Sequence, residues 1–195
     1  MPGPGSRHDH PLLVESPRPP AEQGPSVTII KPARTTTIRV AMSPNTVVQS
    51  IVIATRREAV WKALVDPRVG EKWRMADFRT DWAVGSSIEI EAMIGDRRYR
   101  DKGRVLRIEP PSLLQYTYWS RISGLPDQPQ SYSTITLLLE AHGNETVLTV
   151  KQEVPPSPRR RGRGWEIGPE SGLKHVEFYW WTTLPVLKSI VESDP

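Results

Sequence analysis

From residue 46 onward the hydrophobic pattern alternates between a two-residue and a helical period. Residues 47–53 (VVQSIVI) are β-branched and apolar, which predicts a buried strand. Thr55 and Glu58, three apart, predict a capping box at the start of a helix. Val60, Trp61, Leu64 and Val65 give that helix one apolar face. Asp66-Pro67 predicts its end, since a residue before proline is pushed out of the α region. Residues 69–75 predict a second short helix or irregular segment that returns Trp73 to the core. Six strand-like runs follow, at 78–82, 87–94, 99–108, 113–123, 131–140 and 145–154. Gly85, Gly95-Asp96, Pro110-Pro111 and Gly143-Asn144 are turn signals among them. Ile88 and Ile90, Leu114, Tyr116 and Tyr118, Ile135, Leu137 and Leu139, and Thr146, Leu148, Val150 and Gln152 occupy alternate positions. Such runs predict an antiparallel meander with one apolar face.

Residues 155–172, rich in proline, arginine and glycine, predict a loop. Beyond it Leu173, Val176, Trp180, Leu184, Leu187 and Val191 recur at steps of three and four, the signature of an amphipathic helix. Phe178, Trp181 and Val186 widen that stripe until the sheet is expected to wrap the helix nearly all round. Pro185 is expected to bend it. Trp180 sits mid-stripe and is expected to be the structural keystone, whereas Glu192, near the helix end, is expected to be dispensable. The order of elements, β-α-α-β6-α, predicts an α+β helix-grip fold: a curved antiparallel sheet around a long C-terminal helix.

The residues along this order resemble one branch of that fold. Ile53-Ala54-Thr55 with Val60-Trp61-Lys62-Ala63-Leu64 and Asp66-Pro67 look like an opening strand and helix. Lys72-Trp73, Asp81 through Gly85, and Gly103-Arg104-Val105 with Ile108-Glu109-Pro110 look like its middle landmarks. Trp180, Leu184 and Leu187 match a closing W-x-x-x-L-x-x-L helix. Together they are similar to the SRPBCC/START superfamily, in its family named for the activator of the heat-shock-protein-ninety ATPase (AHSA type). The resemblance covers residues 46–193 and departs at Tyr179 and Ser86, where the family often has glycine. It implies a domain that encloses a pocket for a small hydrophobic molecule. It also implies two alternatives: a polyketide cyclase/aromatase-like enzyme, and an interaction module whose partner is a chaperone ATPase.

Composition changes the picture mainly at the N-terminus. Nine of the 20 prolines lie in residues 1–45, which predicts a flexible leader ahead of the domain at 46–193. Thr35 to Ala41 is the β-branched exception within it, compatible with a short edge strand. The leader holds five of the 26 basic and three of the 22 acidic residues, leaving the domain at +2. The pI of about 9.5 is therefore no signature of specific nucleic-acid binding. With no cysteine there is no disulfide, thiolate nucleophile or zinc finger. No apolar run approaches the ~18 residues of a membrane span, and the N-terminus lacks a secretory apolar core. The expected location is cytoplasmic. Oligomeric state is not legible.

Catalytic and metal chemistry find little support. His8-Asp9-His10 reads as a solvated tail and not a metal site. The spaced glycines at 162, 164 and 168 lack the βαβ context of a phosphate loop. Arg159-Arg160-Arg161 and Arg163 read as a solvated loop. No nucleophile motif is present, so no catalytic residue, metal or cofactor is assigned. Asp101, Tyr116 and His175 are the residues that a cyclase would need as acid or base. The aromatics are more informative. Trp61, Trp73, Trp180 and Trp181 fall in elements expected to face the sheet, either as core or as the wall of a cavity. The candidate ligand-binding set is Trp73, Ile90, Tyr116, Tyr118, Leu137, Thr146, Trp180 and Trp181, with Gln152 and Asp101 as further polar handles.

Overall fold

The structure is a computed structural model that describes residues 45–156, 160–162, 165–167 and 171–193. Residues 1–44 of the expected leader, with His8-Asp9-His10, lie outside them, as do Arg159 and Arg163.

Strand β1 (Thr46–Ile53) leads to helices α1 (Arg57–Val65) and α2 (Pro67–Arg74). The capping box does not form. Arg56 takes the N-cap position and no side chain caps the helix. Thr55 is spent one residue too early: its N–H turns back to the Ile53 carbonyl (2.8 Å) and its own carbonyl accepts from Thr146 (2.8 Å). Asp66-Pro67 ends α1 as expected and at once starts α2. The Asp66 carboxylate accepts from the Arg68 N–H (2.9 Å), and proline stands where its missing donor costs nothing. Met75, in the left-handed conformation (φ 57°), ends α2.

Strands β2 (Ala76–Arg79), β3 (Ser87–Ile94), β4 (Arg97–Glu109), β5 (Leu113–Trp119), β6 (Ser133–His142) and β7 (Glu145–Glu153) form the meander. With β1 they make one antiparallel sheet in the order β1-β7-β6-β5-β4-β3-β2. Two expected strands are shorter than their apolar runs. The run at 78–82 pairs only as far as Arg79, and Trp82 stands in the following loop with φ 52°. The run at 113–123 stops at Trp119, because the Ser120 hydroxyl accepts from the Ile122 N–H (3.2 Å) and turns Arg121–Ser123 into a 3₁₀ turn. At Gly103 a Cβ would drive into the Thr117 carbonyl, so only glycine lets β4 and β5 approach.

Helix α3 (Ser171–Ser193) buries Trp180, Leu184, Leu187 and Val191 against the concave face, and Pro185 lies inside it. It runs alongside β1 in the same sense. Gln49 Nε2 donates to the Glu177 carbonyl (2.8 Å), Lys188 Nζ to the Val52 carbonyl (2.6 Å), and the Ala54 N–H to Glu192 (2.6 Å). The expectation of a helix wrapped on nearly all sides is corrected: Phe178 (60%), Trp181 (67%) and Val186 (43%) are exposed on its outer side. The first strand is likewise not buried on both faces. Val48 and Val52 point outward, as an edge strand with one wet face allows. The loop expected at 155–172 contains a small hairpin instead, with β8 (Arg160–Gly162) paired to β9 (Trp165–Ile167).

Candidate functional site

On the concave face, Gln152, Ile135, Tyr116 and Val105 are register partners in a row across β7, β6, β5 and β4. All four are buried. Gln152 accepts from Trp180 Nε1 (2.8 Å), which ties the row to the middle of α3. Trp180 in turn meets Tyr179 edge-on (ring centres 5.0 Å apart) and Trp73 (6.5 Å). Trp73 Nε1 donates to the Ala63 carbonyl (3.4 Å). The sheet, α2 and α3 thus converge on one aromatic cluster.

At the centre of the cluster is a cation. Arg74, the last residue of α2, is 3% exposed. Its guanidinium carbon lies 4.5 Å from the ring centre of Trp73, 4.6 Å from Phe78 and 5.7 Å from Trp82. Those distances are within cation–π range. Phe78 and Trp82 also meet Tyr116 edge-on (6.3 and 6.2 Å). Arg74 Nη2 donates to the Leu64 carbonyl, and Nε is buried without a partner. Gly70, one turn earlier, leaves the space the guanidinium fills, since a Cβ there would collide with Nη1. Burial lowers the guanidinium's pKa, and the neighbouring Tyr116 and Tyr179 push it back up. An arginine still keeps its charge at any ordinary pH. Burial raises the Tyr116 and Tyr179 hydroxyls above the usual phenol range, so both are neutral donors.

A second polar group borders the cluster. Asp101, buried as its parity implies, is the register partner of Ile90, itself the partner of Phe78. It accepts from the Tyr118 hydroxyl (2.7 Å) and from the Arg121 N–H (3.1 Å). Burial first, then Asp101, holds the Tyr118 hydroxyl well above its ordinary value.

The candidate ligand set therefore divides. Trp73 and Tyr116 lie beside Arg74, and Trp180 packs on Trp73; Ile90 and Tyr118 border them, and Leu137 is buried further along the same face. Thr146 stands apart, at the far end of β7 from Gln152, with its hydroxyl spent on Thr55. Trp181 points outward and does not face the sheet. With Phe178 (ring centres 6.1 Å apart), Gln49, Lys174 and Glu177 it lines a shallow recess of about 310 Å³. Asp101, Tyr116 and His175 are not assembled into an acid–base pair. His175 is exposed on α3, and no hydrogen bond joins any two of them. No cluster of three metal-ligating side chains occurs among the described residues.

Sequence reasoning missed Arg74, Phe78 and Trp82. A basic residue in the last turn of a helix normally reads as a solvated complement to the helix dipole. The available signal was Gly70, a glycine inside a short helix four residues before a long side chain.

The family described as Activator of Hsp90 ATPase homolog 1-like protein matches residues 54–192. A solved protein from Cytophaga hutchinsonii is 28% identical, covering 76% of this chain and 94% of its own, with a TM-score of 0.58. One from Chromobacterium violaceum is 23% identical over 77% and 99% (TM-score 0.60). The Aha1 dimer of Colwellia psychrerythraea is 18% identical over 75% and 96% (TM-score 0.54). No curated protein matches.

Proposed function

The chain belongs to the Activator of Hsp90 ATPase homolog 1-like family, and from that premise we propose that it binds a small hydrophobic or amphipathic molecule between the sheet and the C-terminal helix, without converting it. One observation carries this reading. Trp73, Tyr116, Tyr179 and Trp180 converge around isolated polar groups, and no acid–base pair stands among them. Apolar walls with a few placed polar atoms are the chemistry of a small-molecule site. The Tyr118–Asp101 couple at the border of the cluster (2.7 Å) is the proton donor and acceptor that the cyclase alternative would use.

A second reading rests on Phe178 and Trp181, an exposed aromatic pair on α3 that borders Gln49 of β1. Exposed aromatics anchor protein interfaces, and a chaperone ATPase is the partner that the family description suggests.

One experiment separates the readings. Fatty acids, flavonoids and polyketide-like aromatics are screened by indole fluorescence and calorimetry, with mass spectrometry of each bound compound. Binding is expected to change Trp180 emission and to carry a negative heat-capacity change, with every compound recovered intact. Conversion of a compound would put the cyclase first. Silence across the screen, with chaperone ATPase stimulation lost on Phe178→Ser plus Trp181→Ser, would put the second reading first.

A further inference from the structure

We infer that the bound molecule is an anionic amphiphile whose carboxylate is received by Arg74. This rests on the ligand-binding reading and names the chemical class of its ligand. Arg74 is buried, yet among the described residues no acidic side chain forms a salt bridge or hydrogen bond with it, and the one acceptor it meets there is the Leu64 carbonyl. Its Nε is buried with no acceptor at all. The buried carboxylate of Asp101 is committed to Tyr118 and to the Arg121 backbone. The three ring faces around the guanidinium offset part of the cost of burying it, and they supply no negative charge.

A buried cation without a counter-charge is unfavourable, and arginine cannot escape by losing its proton. The usual remedy is a partner carboxylate, whose two oxygens match the planar N–H fork. Here the fold supplies the cation and a bound molecule supplies the anion. The surroundings also suit an amphiphile. Tyr116, which meets Phe78 and Trp82 edge-on, lies close enough to act on the guanidinium, and the Tyr179 hydroxyl donates to the Arg74 carbonyl (3.4 Å). Trp73 and Trp180, ring centres 6.5 Å apart, continue the apolar surroundings beyond the guanidinium. Of the three rings around Arg74 only Trp82 is partly exposed, so it marks the side from which the anion arrives.

The test compares 2-naphthoate with its methyl ester, two probes of the same ring system that differ in charge. With the unaltered full chain at neutral pH, the acid is expected to bind at least about tenfold more tightly, as a charge-assisted bidentate pair implies. Because the pair is buried, the preference persists from about 0.05 M to about 0.5 M salt, where surface ion pairing is screened. Arg74→Met is expected to lower acid binding to the level of the ester while leaving the ester unchanged. Equal binding of acid and ester by the unaltered chain would overturn the carboxylate assignment and leave hydrophobic-ligand binding standing. Loss of the preference in high salt would move the anion to a surface arginine and overturn the assignment of Arg74. Binding of neither probe, with silence across the broader screen, would overturn both readings. The salt and ester comparisons use the unaltered protein, so they decide the matter even where Arg74→Met does not fold.

Discussion

At the scale of single residues, parity told more than identity. Trp73, Ile90, Tyr116, Leu137 and Trp180 are buried where alternation and helical spacing put them. The exceptions share a physical origin. Arg74 is invisible to pattern because an arginine's position says little about where a long side chain ends, and only the fold brings Trp73, Phe78 and Trp82 around it. Trp181 shows the reverse error: an aromatic beside a buried stripe was credited to the stripe. Tyr116, which is buried, and the partly buried Tyr118 and Tyr179 yield a pH prediction. Burial raises the Tyr116, Tyr118 and Tyr179 hydroxyls above the phenol range, so the folded state holds their protons more tightly than the unfolded chain does. That contribution is complete below the unfolded value of about 10 and is lost as pH rises toward the folded values. Stability is therefore expected to fall steadily above about pH 10. In an ultraviolet titration these three should ionise together with unfolding, and ionisation at the ordinary phenol pKa in the folded state would contradict the desolvation of their hydroxyls.

At the scale of elements, the meander and the closing helix were legible because each is long and strictly periodic. Boundaries were less so. Thr55 and Glu58 have the spacing of a capping box, but backbone turning at Ile53 moved the helix start by one residue. The β8–β9 hairpin was unreadable, since a three-residue strand such as Arg160–Gly162 carries no apolar alternation. The last helix corrects a further expectation. Glu192 is no bystander, because it accepts from the Ala54 N–H and pairs with Lys188 (2.8 Å), which itself reaches the Val52 carbonyl. Lys188 first, then the Ala54 N–H, holds the Glu192 carboxyl below its ordinary value. Its contribution is present above the unfolded pKa of about 4.3 and disappears as pH falls through the lower folded value. Glu192→Ala is accordingly expected to lower the thermal midpoint at pH 7, with the gap from the parent closing below about pH 4. Trp180→Ala removes a buried indole and the donor to Gln152, and should cost about 3–5 kcal/mol in denaturant unfolding at either pH. A pH-independent Glu192 effect would mean that the carboxylate is not what ties the helix to β1.

At the scale of the whole molecule, the proline-rich composition of the first 45 residues carries its own expectation. A segment poor in apolar residues gains little by ordering, so deleting residues 1–33 should leave the thermal midpoint within a few degrees; a large drop would show that the domain needs them. The domain's own defence is built elsewhere. An open sheet has two edges, and an unpaired edge is a template on which another chain can add a strand. Here one margin, β1, is tied to α3: Gln49 donates to the Glu177 carbonyl, Lys188 reaches the Val52 carbonyl, and Glu192 accepts from the Ala54 N–H just past the strand. The other, β2, is only four residues long. It also carries Asp77 and Arg79 in a charge lattice with Glu91 and Arg100. The helix that clasps the interior therefore also serves as a guard rail: loosening its last turn would unmask a β-branched ribbon, and the first sign of damage in a crowded solution would be fibrils growing from β1.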